Sequence, residues 1–174
     1  ACAPYAVWMV LMMALPSGAI PYAIRAAATA IALIPAAIRF RFRIQSACSA
    51  IAAGFAVYVL WTLPEYLPFY REWLVIGPCP SPLEAQSSPF DPAICGWPLS
   101  TARLVGSAFV IAPAEELFFR HFFYRFLQSR NWPDDSLRRF DLQAFAWSAG
   151  LFALEHNRPV AALAPAAVYT FIYI

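Results

Sequence analysis

Apolar residues run through this chain in long blocks rather than in alternation. Six blocks stand out, at 4–15, 21–38, 47–63, 102–127, 142–155 and 159–174. None has the every-second-residue pattern of a membrane barrel strand, and in an apolar solvent a helix is the element that satisfies its own backbone within one such block. The pattern therefore predicts an all-α chain, a polytopic transmembrane bundle of about six spans. Prolines crowd between Pro64 and Pro98, whereas Pro16, Pro21 and Pro35 are expected to end or kink helices rather than forbid them.

Composition strengthens this picture. Hydrophobic residues are 61% of the chain and charged residues 13%, with a mean hydropathy of +0.58; soluble domains are roughly half apolar and about a quarter charged. An integral membrane protein is expected. Its 174 residues suffice for one bundle at roughly 20 residues per span, so 1–174 is expected to be a single domain. The chain stops at Ile174 inside an apolar run, and that domain is expected to be incomplete at its C-terminus. The first block has no basic stretch before it and no clear small-residue cleavage site after it, which favours a span over a signal peptide.

All 12 basic residues are arginine, and the net charge of +2 is too small and scattered for a nucleic-acid surface. The arginines report topology instead. Arg39, Arg41 and Arg43 follow the second block, and Arg130, Arg138 and Arg139 follow the fourth. The connection at about 64–100 carries Glu65, Glu72, Glu84 and Asp91 against Arg71. By the positive-inside rule both basic loops are cytoplasmic and 64–100 is extracytoplasmic, and alternating spans make the two assignments agree. There Cys79 and Cys95 either form a disulfide or remain two thiols. Cys2 and Cys48 sit in apolar surroundings and read as small buried hydrophobes.

The charges inside the apolar blocks matter most. Glu115, Glu116 and Arg120 lie in the fourth block, and His156 closes the fifth. An ionisable group at bilayer depth costs at least a few kcal/mol, so such groups are presumed functional. Glu116 and Arg120 are four residues apart, acid first, and are expected to pair on one helix face. That pair either locks helices together or supports a site. Glu115 is turned about 100° away from Glu116 and is expected to stay available as a general base for one water molecule. It lies roughly 18 Å of helix before Leu127, and His156 roughly 21 Å after Leu142, so antiparallel neighbours would hold them at similar depth. A histidine there could orient the water or stabilise an oxyanion. His121 points off that face and reads as an interface or headgroup residue. Glu155 is expected to cap the helix or pair with Arg158, and Arg158 to snorkel at the membrane surface. The aromatic run of Phe118, Phe119, Phe122, Phe123, Tyr124 and Phe126 reads as packing and lipid contact.

No phosphate-binding glycine loop, nucleophile elbow or aspartate pair is present. There is no His-Glu-x-x-His helix, and Glu115 with His156 would be a poor zinc set, so neither a metal nor another cofactor is expected, although metal dependence stays unresolved.

Glu115-Glu116-x-x-x-Arg120, followed roughly 30 residues later by Phe152-x-x-x-His156, resembles the first two motifs of the CAAX prenyl endopeptidase type II and bacteriocin-processing (CPBP, or Abi) intramembrane proteases. The wider phrases 113–120 and 151–158, with Phe90-Asp91-Pro92 before them, resemble the CAAX protease-related branch that accompanies exosortase systems in bacteria. The resemblance implies a hydrolase of the bacterial inner membrane. In it Glu115 and His156 are catalytic, activating the hydrolytic water, and Glu116 and Arg120 support them. Its implied partners are membrane lipid, a peptide or membrane-anchored protein substrate and exosortase-system proteins. The family's third motif, His-x-x-x-Asn, is absent here and is expected beyond Ile174, so the fragment alone is expected to lack full oxyanion stabilisation. The alternative is a non-enzymatic membrane protein, either a transporter whose buried charges line a polar path or a catalytically silent, partner-binding relative.

Overall fold

The computed structural model describes residues 2–39, 47–73, 88–129, 131–132 and 139–174, with 39, 47–50 and 71–73 described by backbone alone. Among the described residues the regular structure is entirely helical. Helices α1 (Ala3–Ala14), α2 (Ala19–Arg39) and α3 (Ala47–Thr62) fall on the first three apolar blocks, and α9 (Leu142–Leu154) and α10 (Pro159–Tyr173) on the last two. The fourth block is covered by consecutive segments: α6 (Trp97–Gly106), a π-helical stretch Ser107–Ile111, α7 (Ala112–Glu116), a second π-helical stretch Leu117–Tyr124, and α8 (Arg125–Gln128).

The described parts of the proline-rich connection carry helical turns. They contain a 3₁₀ turn, Leu63–Tyr66, and two short helices, α4 (Pro68–Trp73) and α5 (Pro92–Cys95). Proline occupies the first or second position of the turn and of α5, where its missing N–H costs nothing. The Asp91 carboxylate accepts from Ala93 N–H at 2.8 Å and starts α5. Gly96, at φ +80°, then turns the chain into α6. Cys95 is a free thiol, its Sγ 3.4 Å from Ser100 Oγ, and Cys79 lies outside the described residues. Cys2 is a half-buried free thiol, and the Cys48 side chain also lies outside the description, as do Arg41, Arg43, Arg130 and Arg138.

The chain divides into two compact units. The first comprises Ala1–Arg41 and Ser87–Phe122, the second Phe42–Gln86 and Phe123–Ile174. In the first, α2 packs against α1 and α6, and α7 against α1. Its core is Trp8, Tyr22, Ala26 and Ile111, with Met9, Phe90 and Val110 against it. Gly106 lets α6 approach closely: a Cβ there would stand 3.0 Å from the Tyr22 hydroxyl and 3.1 Å from Ala26 Cβ. The Tyr22 hydroxyl also bonds Ser107 Oγ at 2.9 Å, and the Arg103 guanidinium lies 4.5 Å from the Tyr22 ring centre.

Helix α2 is amphipathic in reverse. Tyr22, Arg25, Ala26 and Thr29 are buried on one side, whereas Ile20, Ile24, Ile31, Ile34 and Ile38 are exposed on another, Ile38 to 79%. A helix bathed in water puts its apolar stripe inward. This helix puts a charged residue inward and isoleucine outward.

In the second unit α10 packs on α9 and α3. Small residues make this contact possible: Ala149 and Ala153 of α9 and Ala161, Ala162 and Ala166 of α10 are buried, while Trp147, Leu154, Leu163 and Phe171 are exposed. Small residues inside and large apolar residues outside are the packing pattern of helices that associate in lipid. Among the described residues one helix, Ala19–Ile38, is long and apolar enough to cross a membrane by itself, at 20 residues; α1, α9 and α10 are apolar but shorter.

Candidate functional site

The acidic motif sits where helical geometry changes. Pro113 lies in the first turn of α7 and has no N–H to give to the carbonyl four residues earlier, so the regular ladder cannot pass through it. Wide π turns precede and follow the five residues of α7, Ala112–Glu116. Such turns inside helices concentrate at functional sites, because the altered ladder re-aims side chains. Glu115 and Glu116 close the short α-helical piece between them.

Glu116 and Arg120 pair as their spacing predicts. Arg120 Nη1 lies 3.1 Å from Glu116 Oε1, with the arginine side chain 1% exposed and the glutamate 36%. The guanidinium carbon is 5.9 Å from the centre of the Phe119 ring, which is itself fully buried. Tyr5 of α1 seals this region, stacking on Phe118 at 4.4 Å and meeting Phe119 edge-on at 5.5 Å. The aromatic run is therefore packing around the cation, as expected for Phe118 and Phe119. Glu115 is half-buried next to the completely buried Ala114, and His121 is half-buried.

His156 belongs to the second unit, in the turn between α9 and α10. The helix ladder ends at Leu154, and the His156 N–H reaches Ala153 O at 3.1 Å. Its Nδ1 is 2.7 Å from Phe152 O, and its ring lies 4.6 Å from the Phe152 ring centre and 5.4 Å, edge-on, from that of Trp61. A carbonyl oxygen can only accept, so this bond places a proton on Nδ1. The acceptor is the main-chain carbonyl four residues earlier, so the bond follows from the spacing and not from the phenylalanine side chain.

Arg158 reaches a distant partner. Its Nε donates to Glu65 Oε1 and its Nη2 to Glu65 Oε2 at 3.4 Å, a side-on fork across 93 positions of sequence. Glu65, assigned from sequence to an acidic extracytoplasmic loop, is 6% exposed. Its burial could not be read from charge pattern alone, although Trp61 and Glu65, four apart at the end of an apolar run, were a signal that they share a face. Glu115 lies in the first unit and His156 in the second. Among the described residues no three His, Cys, Asp or Glu side chains gather into a metal-binding group.

Residues 97–174 match the model of a protein family, type II CAAX prenyl endopeptidase Rce1-like. That stretch contains Glu115, Glu116, Arg120 and His156, and leaves Trp61 and Glu65 outside it. No curated protein and no solved structure matches the chain.

Proposed function

We propose that the chain is an intramembrane endopeptidase, similar to the type II CAAX prenyl proteases, that hydrolyses a peptide bond with a water activated by Glu115. The observation that carries this reading is the family match over 97–174, which takes in both the paired glutamates and the Phe-x-x-x-His sequence. The reversed amphipathicity of α2 and the alanine seam between α9 and α10 support lipid as the surrounding solvent. In that setting the apolar blocks act as about six spans, with the arginine-rich connections on the cytoplasmic side.

Glu115 is the general base. Its carboxylate takes a proton from water as the oxygen attacks the scissile carbonyl carbon, and returns that proton to the leaving amine as the C–N bond breaks. His156 keeps its two candidate roles, orienting the water or stabilising the oxyanion, and with Nδ1–H committed to Phe152 O either is played through Nε2. Glu116 and Arg120 form the rigid platform beside the base. The substrate class is a membrane-anchored protein, and the exosortase-related phrases at 113–120 and 151–158 favour sorted surface proteins of bacteria.

The test is Glu115→Gln in the protein as it occurs in the membrane, assayed on a membrane-anchored reporter. Cleavage should fall by at least about a hundredfold, the scale of losing general-base assistance, while abundance and helicity persist. Turnover at the wild-type rate would remove the protease reading, and gradient-dependent solute uptake into proteoliposomes would replace it with a transporter.

A further inference from the structure

His156 is held by Phe152 O of α9 and also from outside that helix, by Trp61 and by a Glu65–Arg158 pair; Trp61 and Glu65 lie beyond the family-matched stretch. The residue sits in a turn after α9 has ended, so the helix ladder does not fix it. Two contacts, one from the end of α3 and one from the 3₁₀ turn that follows it, reach the His156 turn. The Trp61 ring meets the imidazole edge-on at 5.4 Å, and one helical turn further along, Glu65 receives the Arg158 fork two residues after His156. Arg158 is also the N-cap residue of α10, immediately before Pro159, with its carbonyl accepting from Ala162 N–H at 3.0 Å. Its backbone is thereby tied to α10 and its side chain to the 3₁₀ turn Leu63–Tyr66.

We infer that Glu65 and Arg158 are positioning residues that clamp the α9–α10 turn, so that the His156 ring keeps its Nδ1–H on Phe152 O. The inference rests on the endopeptidase reading for its catalytic consequence. Burial argues for the clamp: Glu65 is 6% exposed, and a carboxylate is kept out of solvent only with a well-made partner. The fork supplies directional hold that a point charge would not, since guanidinium and carboxylate meet along two bonds in one plane. Trp61 completes the hold by limiting where the imidazole can swing.

The experiment compares Glu65→Gln, Arg158→Lys and the double variant Glu65→Gln/Arg158→Gln in the full protein in membranes. Two readouts are taken: cleavage kinetics, and the ¹⁵N spectrum of histidine-labelled protein, in which the His156 ring signals are assigned by their loss in His156→Gln. The double variant removes both charges together, which keeps the fold testable even where a single variant strands a charge. In the double variant kcat should fall about ten- to a hundredfold with KM within about twofold, the scale of a small misplacement of a reacting group. The His156 signals should move from a single Nδ1–H tautomer to a mixture. Arg158→Lys, which keeps charge and loses the fork, should show the same change in weaker form. A wild-type spectrum and wild-type kcat in the double variant overturn the clamp. A wild-type protein that never cleaves overturns the endopeptidase reading instead, while the tautomer change still decides whether Glu65 and Arg158 position His156.

Discussion

Arg120 places its Nη1 3.1 Å from Glu116 Oε1, and the arginine is among the most deeply buried side chains of the described residues. A cation enclosed to this degree depends on its anion, whatever else surrounds it. Glu116→Gln is therefore expected to destabilise the protein by about 3 kcal/mol, the low end for breaking a buried pair because the carboxylate keeps some solvent contact. Glu116→Gln/Arg120→Met should recover most of that loss. Thermal unfolding in micelles, followed by tryptophan fluorescence, checks both; a single variant as stable as the wild type would show that Glu116 is not what keeps Arg120 in place.

Thr29 is predicted to respond in the opposite direction. It is 0% exposed, and among the described residues its hydroxyl has no hydrogen-bond partner. Thr29→Val exchanges that hydroxyl for a methyl group of similar size and is expected to raise stability by about 1 kcal/mol, the lower range for an unsatisfied buried polar group. A drop in unfolding temperature would reveal a partner for this hydroxyl.

Ile31 separates the two possible solvents of α2. It is 68% exposed, on the isoleucine side of the helix. Ile31→Arg is expected to cost about 3 kcal/mol of membrane insertion at the centre of a span, read as a fall of the membrane-integrated fraction in a glycosylation-site insertion assay. Unchanged integration, or better solubility without detergent, would count against lipid on this face.

Tyr124 links the end of the fourth block to the start of α9. Its hydroxyl accepts from Asp141 N–H at 2.9 Å and donates to Arg139 O at 3.2 Å. Asp141 in turn caps α9 through Ala144 N–H at 2.8 Å. Tyr124→Phe should cost about 1–3 kcal/mol by stranding a backbone donor, and Asp141→Ala about 1 kcal/mol by removing the cap. Because both act on the same residue, the double variant should cost less than the sum. Full additivity in the unfolding temperatures would separate the two roles.

The helices were legible because each apolar block is long enough to demand one element, and α1, α2, α3, α9 and α10 lie within a few residues of the blocks that predict them. The Glu116–Arg120 pair was legible because residues four apart are brought together by helical geometry without help from the rest of the fold, whereas Phe152 and His156, at the same spacing, were read only as a motif and their bond was not expected. Glu65–Arg158 was not, since the 93 positions between them carry no pattern that links one loop to another. The π turns left a partial trace in Pro113, which marks an interrupted ladder without saying how the chain repairs it. The helices of the connection at 64–100 were missed because proline reads as loop, yet at the first turn of a helix it is an accepted start.

The stretch Ser107–Ile111 has an evolutionary corollary. A π turn amounts to one surplus residue accommodated in an α-helix, and losing that residue would restore a regular ladder while rotating everything downstream by about 100°. Ser107 would keep its neighbour on α2, but Glu115, Glu116 and Arg120 would face elsewhere. Single-residue deletions between Gly106 and Pro113 should thus be tolerated far less than substitutions there, and lineages of this chain should conserve length in that interval more strictly than they conserve side chains.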